Sequence, residues 1–90
     1  MRDFVLYVVK NLVDFPERVA INEIAGVHTL IIELYVEKTD VGKVIGKEGK
    51  TINALRTLLM SIASRNGLRV SLEIIEEGRE SSLAEKEKGA

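Results

Sequence analysis

Cysteine is absent from this chain of 90 residues, which excludes a disulfide framework and any thiolate metal site. A single histidine, His28, cannot form a histidine cluster, and no tryptophan is present. Aromatic side chains are limited to Phe4, Tyr7, Phe15 and Tyr35. No apolar run approaches the roughly 20 residues that span a bilayer, and the start, Met1-Arg2-Asp3-Phe4, is soon followed by Lys10 and Asp14, unlike a signal peptide. The chain is therefore expected to be cytoplasmic. No nucleophile, base and orienting group stand at a recognisable spacing, so no enzymatic activity, metal, cofactor or small-molecule substrate is expected. The one proline, Pro16, predicts the end of an N-terminal helix.

What the chain does carry is hydrophobic periodicity within a single-domain length. Apolar residues at Phe4, Val5, Tyr7, Val8, Leu12 and Val13 lie close to one helical face, and Phe15, before proline, is pushed toward extended geometry. The first helix is expected to stop near Val13 or Asp14. Val19, Ile21 and Ile24 suggest a strand that breaks at Ala25-Gly26. Leu30, Ile32, Leu34 and Val36 alternate with Ile31, Glu33, Tyr35 and Glu37, the period of a strand with one face in the core. Thr39-Asp40 is placed to cap a short helix carrying Val41, Val44 and Ile45. Thr51 to Arg65 reads as the longest helix, with Asn66-Gly67 as its left-handed cap, and Val70, Leu72 and Ile74 as a third strand. The order helix, strand, strand, helix, helix, strand predicts an α+β fold with helices on one face of three strands. Residues 1–77 form the expected domain; residues 78–90 are almost without apolar content and are expected to be disordered.

The most informative stretch runs from Val41 to Leu55. Gly46 and Gly49 stand three apart between the short helix and the long one, whose apolar positions recur at Ile52, Leu55, Leu59 and Ile62. Glycines there permit backbone angles closed to other residues and close approach of a partner to the main chain. Lys43, Lys47 and Lys50 surround the loop, and a helix begins immediately after it, so its positive end faces the same place. A phosphate suits such a site.

Val44-Ile45-Gly46-Lys47-Glu48-Gly49-Lys50-Thr51-Ile52-Asn53-Ala54-Leu55 resembles the core motif of the KH family, V-I-G-x-x-G-x-x-I-x-x-[IL]. Together with Val13-Asp14-Phe15-Pro16-Glu17-Arg18-Val19 and the lead-in Asp40 to Gly46, the wider chain over roughly residues 2 to 77 resembles the small bacterial single-domain members, the KhpA-like group. The resemblance implies the type II topology, αββααβ with a mixed sheet, and a groove that holds about four nucleotides of single-stranded RNA. One wall would be the short helix, the Gly46-Lys47-Glu48-Gly49 loop and the start of the long helix; the other would be Ser64 to Ser71. Main-chain approach falls to Gly46 and Gly49, phosphate charge to Lys47 and Lys50, flanking charge to Lys43 and Arg56, and the apolar floor to Val44, Ile45 and Ile52. Arg69 is the candidate on the opposite wall. Glu48 would repel phosphate if it turned inward.

The net charge of -1 hides an uneven distribution. Lys38, Lys43, Lys47, Lys50 and Arg56 outnumber Asp40 and Glu48 around the motif, whereas Glu73, Glu76, Glu77, Glu80, Glu85 and Glu87 outnumber Arg79, Lys86 and Lys88 beyond it. Modest affinity for phosphate backbones follows. No aromatic residue lies near the motif in sequence, so low sequence selectivity is expected, in keeping with an RNA chaperone or post-transcriptional regulator. A different function class is also open. Leu58, Leu59, Met60 and Ile62 span more of the long helix than one narrow stripe needs, as for a subunit pairing with itself or with a second KH protein. Leu55 belongs to the core on the helical-face argument, whereas Ile45 stands between core and groove. His28, beside a turn, reads as a surface residue.

Overall fold

The computed structural model describes residues 1–76; the tail expected to be disordered lies outside the described residues. Helix α1 spans Arg2–Lys10 and buries Val5 and Val9, one turn apart on one face. It is shorter than its apolar pattern suggests. Leu12 and Val13 both donate to the Val9 carbonyl, so the chain leaves the helix as a tightening turn, and the Asn11 side-chain amide donates to Tyr7 O at 2.7 Å. Pro16 does more than end that helix. It opens a 3-10 turn over Pro16–Arg18, where its fixed φ suits the first position and its missing N–H costs nothing.

Strand β1, Ala20–Ala25, and strand β2, Thr29–Val36, form an antiparallel hairpin in which Ile21 faces Leu34 and Ala25 faces Leu30. Strand β3, Arg69–Glu76, lies parallel to β2, with Ile32 beside Leu72. A parallel neighbour requires a crossover. Here it consists of helix α2, Val41–Ile45, and helix α3, Lys50–Arg65. The sheet order is β1-β2-β3, so β3 is an edge. This is the expected α+β arrangement of a type II KH domain, a mixed three-stranded sheet with helices on one face.

The core lies between that face and the helices. Ile32, Leu34 and Val36 are fully buried with Val5, Val9, Val44 and Leu59, and Ile52, Leu55 and Leu72 join them. On α3, Ile52, Leu55 and Leu59 repeat at three and four, which turns one stripe inward. The end of α3 carries paired cap bonds, Leu68 N–H to Ala63 O at 2.8 Å and Gly67 N–H to Ser64 O at 3.1 Å. Gly67, at φ 71°, supplies the left-handed residue that this closure needs.

Two acidic residues depart from their expected places. Glu33 belongs to the sheet face away from the helices, yet it is buried, taking a hydrogen bond from Asn22 Nδ2 at 3.1 Å and lying 3.5 Å from the Tyr35 hydroxyl. Asp40 does not cap α2 with its side chain. Its carboxylate is fully buried and accepts the amides of Asp14 and Phe15 at 3.1 and 3.0 Å, because the turn after α1 brings two unpaired donors closer than the helix end. Among the described residues no helix is long and apolar enough to cross a membrane, and no group of three acidic or histidine side chains is placed to hold a metal ion.

Candidate nucleic-acid interface

The loop between α2 and α3 is held open by backbone angles. Gly46 sits at φ 77° and Gly49 at φ 74°, and a 3-10 turn runs over Lys47–Gly49 between the helices. Glu48 is also left-handed, at φ 56°, a conformation that costs a residue with a side chain about 1 kcal/mol or more. At Gly46 a Cβ would collide with the Thr51 side chain, so glycine there is required by space as well as by angle. Gly49 N–H closes the turn on Gly46 O at 3.1 Å. Among the described residues no backbone carbonyl accepts the amides of Lys47 and Glu48. Two main-chain donors therefore stand on an exposed loop immediately before the N-terminus of a helix of 16 residues.

The cations named from the sequence occupy three different situations. Lys47 is exposed and, among the described residues, has no carboxylate in ion-pair range. Lys50 lies 3.7 Å from the Glu48 carboxylate, both well exposed, so Glu48 turns toward a lysine. Lys43 reaches Asp14 at 3.2 Å and Asp40 at 3.8 Å. Its ammonium is drawn toward the end of α1 by these two carboxylates.

The apolar floor also divides. Val44 is fully buried and Ile52 nearly so, hence both support the loop from within and neither presents a side chain to a ligand. Ile45 is 37% exposed and is the apolar side chain of α2 that a base could touch.

Beyond the loop, a furrow follows α3 along the free edge of β3. Its upper part, a cavity of about 340 Å³, is lined by Arg56, Leu59, Met60 and Val70 to Glu73. Its lower part is lined by Met60, Ser64, Leu68, Arg69, Val70 and Ser71. The cavity lining includes Ser64 and Leu68 to Ser71 from the stretch expected as a wall, and also Leu72 and Glu73. Arg56 donates from Nε and Nη2 to the Leu72 carbonyl at 3.3 and 3.1 Å. Arg69 lines the lower part, and its own amide donates to His28 O at 2.8 Å. None of the four aromatic residues lines the furrow. Thr51, Leu72 and Glu73 were not identifiable from the sequence, because no motif marks a side chain that fills space behind a glycine or a strand that happens to be an edge.

The family model described as KhpA/KhpB, KH domain, matches residues 2–74. The chain is similar to proteins named RNA-binding protein KhpA: that of Chlamydia pneumoniae is 64% identical over 77 residues, covering 86% of this chain and 99% of the relative. That of Aquifex aeolicus is 46% identical, covering 84% and 96%; that of Clostridium perfringens is 43% identical, covering 83% and 100%. No solved structure matches the chain.

Proposed function

The chain belongs to the KhpA/KhpB KH-domain family, and we propose that it binds single-stranded RNA, holding about four nucleotides along the furrow that starts at the Gly46-Lys47-Glu48-Gly49 loop. The loop's main chain carries this proposal. The amides of Lys47 and Glu48, without a carbonyl partner among the described residues, lie on exposed residues beside a lysine that among those residues has no carboxylate partner, and just before a helix N-terminus, which is how a protein meets a phosphate without a base-specific contact. The backbone would continue from the loop past Lys50 toward Arg56, with Arg69 further along the furrow. Bases would lie against Ile45 and the apolar wall of α3 and β3. With no aromatic ring on that wall, stacking adds little and overall sequence selectivity is low. These properties suit an RNA chaperone or post-transcriptional regulator acting in the cytoplasm. The family is a nucleic-acid-binding one and not an enzyme family.

Replacing Lys47 and Glu48 together by aspartate tests this directly. Both glycines remain, and aspartate accepts left-handed geometry better than glutamate does, so the fold survives. The loop charge changes from about zero to about -2, and RNA affinity is expected to fall about tenfold or more. Unchanged circular dichroism with unchanged affinity for a labelled single strand would reduce the loop to a turn.

A second activity is supported by the opposite side of α3. Leu58 is 52% exposed there, in an apolar groove completed by Val8, Leu12 and Ala54. Pairing with itself or with a second KH protein would cover it. Light scattering of the wild type and of Leu58→Glu, with and without RNA, separates pairing from RNA binding.

A further inference from the structure

Phe15 is held firmly by its main chain and yet left at the surface. Its amide donates to the buried carboxylate of Asp40 at 3.0 Å, its carbonyl accepts the Arg18 amide at 3.0 Å, and Pro16 restricts its backbone angles from the C-terminal side. The residue is nonetheless 43% exposed and belongs neither to the hydrophobic core nor to the apolar side chains packed against it. Asp40 stands immediately before α2, and Gly46 immediately after it. The point at which Phe15 is fastened therefore lies about 9 Å of helical rise from the first glycine of the loop. Between the two, Lys43 pairs with Asp14 at 3.2 Å and Asp40 at 3.8 Å, so the carboxylates beside Phe15 are offset by an ammonium.

We propose that Phe15 is a stacking platform for one nucleotide beyond the groove, on the α2 side of the loop. The inference rests on the RNA-binding function proposed above. The furrow leads from the loop along α3 and takes about four nucleotides; α2 leads from the same loop to Phe15, so a longer strand has an aromatic ring to meet as it leaves. Every base has a π-face, and stacking on a ring is therefore tolerant of sequence, in keeping with low selectivity overall. The pinned main chain matters here. A residue whose backbone is ordered before binding has less freedom to lose on contact, which suits a single ring to act without a surrounding pocket.

The test uses the full chain and fluorescent single strands of increasing length, starting from about four nucleotides. Affinity is expected to rise about tenfold once the strand outgrows the groove, the gain of one stacked base. Phe15→Ala and Phe15→Leu should both remove that gain while leaving affinity for the shortest strand close to wild type; leucine keeps apolar bulk at the site but has no ring. An abasic site in place of the added base should remove the gain as well, which separates stacking from an extra phosphate contact. The chain has no tryptophan, so Phe15→Trp supplies a unique reporter, whose fluorescence the longer strands should change and the shortest should not. Affinity that does not depend on length, a gain that survives Phe15→Ala or the abasic site, or a change of oligomeric mass in Phe15→Ala without RNA would overturn the inference and leave RNA binding intact. If no strand binds at all, the RNA-binding function fails and this inference falls with it.

Discussion

The carboxylate of Asp40 accepts the amide of Phe15 at 3.0 Å across 25 positions of sequence, and with the Asp14 amide at 3.1 Å it fastens the turn after α1 to the start of α2. A fully buried carboxylate with two main-chain donors is an anchor whose removal orphans all of its partners.

Asp40→Ala is therefore expected to destabilise the fold by about 2–3 kcal/mol, since hydrogen bonds to a charged group are the stronger class. In a domain this small that lowers the thermal midpoint by about 10 °C or more. Asp40→Asn retains one acceptor oxygen and should lose less. A midpoint for Asp40→Ala equal to wild type would show that the anchor is dispensable.

The two loop glycines should differ in their tolerance. Gly46→Ala meets both the left-handed angle and the Thr51 side chain, whereas Gly49→Ala meets the angle and only an ordinary contact, Asn53 Nδ2 at 3.6 Å. Gly49→Ala is expected to cost about 1 kcal/mol and Gly46→Ala distinctly more. Denaturant melts of the two variants give the order, and equal losses would remove any special role for Thr51.

Lys47 and Lys43 should separate in salt titrations with a short single strand. Neutralising one phosphate contributes about 0.7 to the slope of log affinity against log salt. Lys47→Ala is expected to reduce the slope by that amount. Lys43→Ala should leave the slope unchanged but lower the thermal midpoint, since its ammonium serves Asp14 and Asp40. The reverse pattern would place Lys43 on the phosphates.

Tyr35 provides a pH dependence. Burial first, and then the neighbouring Glu33 carboxylate, raise its phenol above the ordinary value of 10.0. Above pH 10 the unfolded chain releases the phenolic proton before the folded one does, so stability present below that pH is lost as the pH rises through the folded value. Between pH 9 and pH 11 the wild type should lose more stability than Tyr35→Phe does. Ultraviolet titration of the phenol checks the direction independently.

Much of this protein is written in periodicities. The alternation of Leu30, Ile32, Leu34 and Val36 determined β2 and its buried face, because a strand's side chains have only two sides to take. The three-and-four spacing of Ile52, Leu55 and Leu59 determined α3, and Asn66-Gly67 determined where it stops. The motif from Val44 to Leu55 determined the loop and the family to which it points. All of these are local: each rests on backbone geometry over a few residues.

Tertiary structure decided what depends on neighbours distant in sequence. Lys43 and Lys47 look alike in the chain, yet only folding brings Asp14 against one and, among the described residues, leaves the other without a carboxylate. Val44 and Ile45 are adjacent apolar residues, and the direction of a five-residue helix sends one into the core and the other to the surface. Arg56 became a fixed donor only because the parallel pairing of β2 and β3 leaves the Leu72 carbonyl on a sheet edge beside α3. Charge and hydropathy can be read one residue at a time, but the partner that orients a side chain is set by the packing of elements far apart in the sequence.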